Sequence, residues 1–196
     1  SGDHRHLPSF PTRRSSDLLA LILLWTVAVF WPALGHDFVN WDDDRYLLDN
    51  PHAQALTFEN LTAIATTPVL RMYTPLPVLS LLAEYHFVGA RPFLYHLDNL
   101  LLHLAVVSLV FCLARRLGWS FPAAAVSALL FAIHPTRVES VVWVSQRKDV
   151  LCGIFFMGAL IKYWDYLCFR RWRDYLSVVV LTDRKSTRLN SSHVSQ

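Results

Sequence analysis

Three consecutive aspartates, Asp42, Asp43 and Asp44, stand in the stretch 38–51, FVNWDDDRYLLDNP. Carboxylates beside a membrane surface can take a proton from an acceptor hydroxyl or hold a divalent cation. The plainer alternative is a solvated acidic loop ending in an Asp49-Asn50-Pro51 turn, which composition alone favours. Phe38, Trp41 and Tyr46 pull the other way, because aromatic neighbours tend to bury such a loop. A second group lies in 134–149, HPTRVESVVWVSQRKD, with His134, Arg137, Glu139, Trp143, Arg147, Lys148 and Asp149. Arginine grips phosphate through two parallel hydrogen bonds, and lysine attracts it as a point charge. An ion-pair network of Arg137, Glu139 and Asp149 that only stabilises the loop is an equal alternative. A third group is His96, Asn99 and His103, spaced i, i+3 and i+7 on one helix face. The two histidines are about 10 Å apart along the axis, too far for one metal ion. Hydrogen bonding between helices is their expected role.

The elements that must carry these groups are apolar and long. Residues 18–35 contain no Asp, Glu, Lys or Arg, a length that suits a spanning helix. Residues 36–91 form a polar loop rich in acids. Within it, Thr57 is a plausible helix cap, and 75–88 reads as a helix along the membrane surface or packed in the body, with prolines at its head. Further spans are expected at about 92–117, 121–144 and 150–169, with a fifth starting at 175–182. The third has only about 13 apolar residues before His134-Pro135 and either spans with a kink or stops there. Arg115-Arg116 and Arg170-Arg171 follow the second and fourth spans, so if every span crosses they share one side. By the positive-inside rule that side is cytoplasmic, and the acidic loop and the HPTRVES stretch face outward. Lys162 and Asp165, near the end of the fourth span, are expected to snorkel.

Composition agrees with a membrane setting. Of the 196 residues 54% are apolar and only 17% are charged, against about a quarter charged in soluble domains. This excludes a disordered tail and a nucleic-acid module. Residues 11–18, PTRRSSDL, and 183–193, DRKSTRLNSSH, read as translated sequencing adapters, so 1–18 and 183–196 are expected to be artefact and 19–182 a truncated membrane domain. Setting both tails aside removes six basic and three acidic residues and takes the net charge from +3 to zero. Cys112, Cys152 and Cys168 stand singly in apolar runs and read as buried small hydrophobes, forming neither a disulfide frame nor a zinc site. No glycine-rich phosphate loop or hydrolase motif is present.

Four motifs occur in order: F-V-N-W-D-D-x-x-Y-x-x-x-N-P, Y-T-P-L-x-x-L-S, Y-H-L-x-N-L-L-L-H and H-P-T-R-V-E-S-V-x-W-V-x-x-R-K-D-V-L. Together they resemble the N-terminal membrane part of the transmembrane and tetratricopeptide-repeat O-mannosyltransferase-like proteins, which are C-type glycosyltransferases. The resemblance covers essentially 19–182. It implies an all-α polytopic membrane bundle with an outward acidic loop carrying surface helices. The activity it implies is transfer of a sugar, mannose among the candidates, from a polyprenyl-phosphate donor to an acceptor hydroxyl of protein Ser or Thr, or of a glycan. Asp42 or Asp43 would be the base or an organiser of donor and acceptor. His134, Arg137, Glu139, Arg147, Lys148 and Asp149 match the family's outer loop. Assigning Arg137, Arg147 and Lys148 to the donor phosphate is an inference from charge. No cofactor is implied beyond the lipid-linked donor, no metal ligand is assigned, and a divalent ion stays open. Two departures matter: Thr74 stands where some members have arginine, and later spans and helical repeats are absent from this sequence. The fragment by itself is therefore expected to be inactive. The expected setting is a bacterial inner membrane with the active face periplasmic, or lumenal in a eukaryote. The competing readings are a catalytically dead membrane anchor for a repeat domain, and a transporter using His96, Asn99 and His103 as a polar pathway.

Overall fold

The computed structural model describes residues 13–39, 42–69 and 72–189. Most of the two tails read as adapter, and Trp41, lie outside the described residues. The chain is all-α. Among the described residues the only extended pairing is an isolated bridge between Val69 and Met72. Helix α1 is Arg13–Phe30, α2 Phe58–Thr66, α3 Pro75–Val88, α4 Pro92–Arg116, α5 Phe121–Ile133, α6 Thr136–Val142, α7 Arg147–Phe169 and α8 Trp172–Leu189.

Among the described residues three stretches are helical, long and apolar enough to cross a membrane: Asp17–Gly35, Pro92–Arg116 and Val144–Phe169. The third expected span is a bent pair, α5 and α6, meeting at 63°. Its cause is local. Pro135 disfavours helical backbone at His134, which is extended at φ −62°, ψ 134°, so α5 ends at Ile133. The expected start of a fifth span falls within α8, which starts at Trp172, folds back along α7 and is not among the described helices long and apolar enough to cross a membrane. Leu181 of α8 lies 3.6 Å from where a Cβ on Gly158 of α7 would stand.

Helix α4 is the central element, touching α1, α5, α6 and α7. Close approach without a hydrophobic drive requires small residues, and Gly153 supplies one. A Cβ there would meet Val106 of α4 at 3.3 Å. Ala124, Ala125, Ala128 and Ala132 of α5 play the same part against α1 and α4. Helix α4 closes on Gly118 at φ +83°, where Trp119 N–H donates to Ala114 O and Gly118 N–H to Arg115 O. These are the paired bonds of a glycine-terminated helix.

A second core lies at one end of the bundle. There a π-turn at Asp44–Leu48, with α2 and α3, packs onto the start of α4. Thr57 caps α2 by accepting the Asn60 N–H at 3.2 Å. Helix α3 spans Pro75–Val88 and is packed into the body, with Val78, Leu81 and Leu82 buried. At the opposite end Arg116 pairs with Asp165, and Lys162 lies 3.4 Å from Asp174 and 3.8 Å from Asp165. Lys162 and Asp165, expected to snorkel singly, therefore tie α4, α7 and α8 together. The cysteines are free, but Cys112 and Cys168 are exposed on the bundle surface rather than buried. In a thin helical layer, outward apolar positions have lipid in place of a protein core.

Candidate active site

The three groups named from sequence converge on the connection between α6 and α7, residues 143–146. Asp43 is 1% exposed. Its Oδ2 accepts the Val39 N–H at 3.1 Å, closing its own loop. Its Oδ1 accepts the Ser145 N–H at 2.8 Å, bridging 102 residues of sequence. Burial pushes the Asp43 carboxyl above the usual carboxylate range, and the two N–H donors only partly oppose this. Asp42, next to it, is half-buried and makes no hydrogen bond or ion pair among the described residues. The expected pair is thus divided: Asp43 clamps the loop, and Asp42 is the accessible carboxylate. Phe38 and Tyr46 do bury this loop, Phe38 by edge contact with Tyr95 at 5.3 Å and Tyr46 within the core.

Helix α4 presents Asn99 to the same connection. Asn99 Nδ2 donates to Trp143 O at 3.1 Å, and its Oδ1 accepts from Arg147 Nε at 2.8 Å. His103, one turn further on, lies 2.9 Å from Ala132 O. That carbonyl belongs to the last turn of α5, where the helix breaks and backbone acceptors lose their partners. His96 is buried, with its ring near the backbone of Val142 and Asp37; Asp43 and His36 are the charged and titratable groups that act on it electrostatically.

The cations are placed unequally. Arg147 is fully buried. Besides Asn99 it donates to Tyr95 O at 3.3 Å, and its Nη1 lies 2.6 Å from Glu84 Oε2 and 3.3 Å from Asp98 Oδ2. Its guanidinium stands 5.7 Å from the Tyr95 ring centre. The guanidinium donors expected for a donor phosphate are therefore directed at protein acceptors. Burial raises the Glu84 carboxyl above its ordinary range, against the pull of Arg147. Lys148 is 8% exposed and stands 5.5 Å from the Tyr46 ring centre. Arg137 is half-buried, 5.0 Å from the Phe131 ring centre. Neither Lys148 nor Arg137 has a carboxylate partner among the described residues.

The rest of the outer stretch is polar scaffolding. His134 Nδ1 lies 2.8 Å from Thr136 Oγ1 and 3.3 Å from its N–H. Glu139 accepts from Gln146 Nε2 at 3.2 Å, and Asp149, in the first turn of α7, accepts from Ser140 Oγ at 3.3 Å. Among the described residues no group of three or more His, Cys, Asp or Glu converges as metal ligands do.

Sequence reasoning missed Glu84, Asp98, the Ser145 N–H and the hydroxyls of Tyr46 and Thr74. Glu84 carried a usable signal: it is the sole acid in the otherwise apolar helix PLPVLSLLAEYHFV, and a charge there requires a partner. The Ser145 N–H carried none, since every non-proline residue has one.

No family model matches the chain, and no solved structure matches it. Curated relatives do. It is 33% identical over 153 residues to protein O-mannosyl-transferase TMTC3 of Homo sapiens, covering 74% of this chain and 16% of that protein. It is 39% identical over 141 residues to protein O-mannosyl-transferase tmtc2 of Xenopus laevis, covering 68% of this chain and 17% of that protein. Against TMTC4 of Homo sapiens the identity is 30% over 168 residues, with coverages of 74% and 22%. The chain thus spans about a fifth or less of the length of these relatives. Over the greater part of its own length, this chain is similar to one segment of the protein O-mannosyl-transferases TMTC2, TMTC3 and TMTC4.

Proposed function

We propose that the protein containing this chain transfers a sugar, mannose by the names of its relatives, from a polyprenyl-phosphate donor to a Ser or Thr hydroxyl of a protein acceptor. The observation that carries this reading is the 2.8 Å bond from Ser145 N–H to Asp43 Oδ1, which holds the acidic loop against the connection that leads into Arg147 and Lys148. Asp42 takes the acceptor proton as the hydroxyl oxygen attacks the anomeric carbon. The bond from that carbon to the phosphate oxygen breaks, and the phosphate leaves with the electron pair, stabilised by Lys148 and Arg137. A single displacement inverts the sugar carbon. Asp43, with both oxygens engaged, positions Asp42; Arg147, Asn99 and His103 position the connection. His134, Glu139, Asp149 and His96 support the same region. The face bearing this site is the one opposite Arg115, Arg116, Arg170 and Arg171, which the positive-inside rule makes the outer face.

The test uses the full-length protein with Asp42→Asn and Asp43→Asn, separately and together. Loss of a general base costs about 10²–10⁴-fold in rate, so Asp42→Asn should reduce transfer by that order while membrane insertion and melting are kept. Undiminished transfer by the double variant overturns the reading. A second reading, a catalytically inert membrane anchor, is favoured by Arg147 and Asp43 both facing protein partners. It requires that wild-type protein neither transfers sugar nor binds a lipid-phosphate donor.

A further inference from the structure

Lys148 is a nearly buried cation without a carboxylate partner among the described residues. It is 8% exposed, and among the described residues it has no hydrogen bond or ion pair, only the face of Tyr46. A buried ammonium without an anion is one of the costliest arrangements a protein interior can hold. Its neighbour Arg147, by contrast, has two carboxylates and two neutral acceptors. The same place holds two buried hydroxyls, Tyr46 Oη and Thr74 Oγ1, on residues 1% and 7% exposed. They are near enough to interact with each other, neither has another partner among the described residues, and Asp42 acts on Tyr46 electrostatically. An ammonium and a pair of hydroxyls thus gather beside Asp42, and among the described residues no carboxylate pairs with the ammonium. Thr74 stands directly before the prolines that open α3, and Tyr46 sits in the π-turn, so each is fixed by its backbone.

From this we infer that Lys148 Nζ, Tyr46 Oη and Thr74 Oγ1 form an oxyanion subsite that takes one phosphate group. The inference rests on the proposed transferase reading for the identity of the anion as phosphate. It goes further in assigning two hydroxyls and one specific cation to it. An ammonium and two hydroxyls supply three donor groups and one positive charge, which suits a tetrahedral phosphate oxygen set. A lipid headgroup and free phosphate share this chemistry.

The experiment uses full-length protein in nanodiscs, titrated separately with farnesyl phosphate and with inorganic phosphate, reading both affinity and melting temperature. Lys148→Met should weaken farnesyl phosphate binding about tenfold or more, as expected for one charge-assisted hydrogen bond. Without ligand the same variant should melt higher than wild type, because an unpaired buried charge is gone. Tyr46→Phe and Thr74→Val each remove one hydroxyl with little change in packing and should weaken binding severalfold. If Lys148→Met does not fold, Tyr46→Phe decides the matter. Competition by inorganic phosphate would show that the headgroup alone suffices; Lys148-dependent binding of farnesyl phosphate alone would show that the tail is required. Either upholds the subsite. Wild-type affinity in Lys148→Met and Tyr46→Phe, or no binding of either probe to wild type, overturns it. Asp42→Asn separates the two ideas. It should bind farnesyl phosphate like wild type and not transfer. Transfer that survives Asp42→Asn, with binding lost in Lys148→Met, overturns the proposed reaction and leaves the subsite standing.

Discussion

Replacing Arg147 with Met tests whether that guanidinium is a structural keystone or a ligand for the substrate. Methionine keeps the length of the stem and removes every donor. Three losses follow. Glu84, with a side chain 13% exposed, is left as an uncompensated buried acid. Asn99 Oδ1 and Tyr95 O lose their donor. Asp98 is 44% exposed and returns to solvent at little cost. Breaking a buried pair from one side costs about 3–5 kcal/mol. The glutamate is not wholly enclosed and protonates readily once alone, which argues for the lower part of that range, about 3 kcal/mol with the orphaned acceptors included. The assay is thermal or denaturant unfolding of the full-length protein, run as a double-mutant cycle with Glu84→Gln. At about 2–4 °C per kcal/mol for a domain of this size, Arg147→Met should lower the melting temperature by roughly 6–12 °C. The double variant should recover about half of the loss, since it no longer leaves a charge behind. The reasoning is refuted if Arg147→Met melts like wild type and loses binding of a lipid phosphate. That pair of results would make Arg147 a ligand, as its charge alone suggested.

Other consequences follow from the same geometry. Burial raises the carboxyl pKa of both Asp43 and Glu84, so the native state holds these protons to higher pH than the unfolded chain does. Stability contributed by them is present below the ordinary carboxylate pKa and declines as pH rises through their raised values. Melting should therefore fall across that window, and Glu84→Gln should flatten the fall; an unchanged slope would contradict the burial argument. His103→Phe keeps a ring but strands Ala132 O, and should cost about 1–3 kcal/mol, seen as faster hydrogen exchange at the α5–α6 break. Gly153→Val drives a side chain into Val106 and should destabilise the α4–α7 pair by about 1–3 kcal/mol, read by melting, whereas Gly35→Ala, with nothing within 4 Å, should be silent. Asn60 heads a glycosylation triplet, but its side chain is held by His52 at 3.0 Å and by Ala55 O at 2.7 Å. Expression in a glycosylating host should give no mobility shift that Asn60→Gln removes.

Much of the fold was legible because its signals are local. Uninterrupted apolar length gave α1, α4 and α7, and proline and glycine gave the breaks at Pro135 and Gly118. Thr57 was readable as a cap because capping involves only residues a few positions apart. What was not legible is what depends on partners distant in sequence. Whether 75–88 lay on a surface or within the body could not be read from its even hydrophobicity, because an all-apolar helix fits either place. Packing against Tyr46, Leu47 and Tyr95 decides it. The cysteines failed for a related reason: apolar flanks mark a residue as out of water without saying whether protein or lipid surrounds it.

At the site, residue type announced the chemistry and burial divided the labour. Arg147 and Lys148 are adjacent, both cationic, and equally suited by charge to a phosphate. Successive residues on a helix diverge by about 100°, so one turns towards Glu84 and Asn99 while the other turns over Tyr46. The aspartates divide in the same way: Asp43 meets two backbone N–H groups and Asp42 meets none. In each pair one member is held by protein and the other is left to meet something else. The held members, Asp43 and Arg147, both fasten the α6–α7 connection, directly or through Asn99, and the other two, half-buried Asp42 and buried Lys148, both border Tyr46. A loop that served only as an anchor would have no reason to leave a buried ammonium and a nearby carboxylate without an ion pair to each other. That asymmetry is the physical ground for reading this end of the bundle as a site.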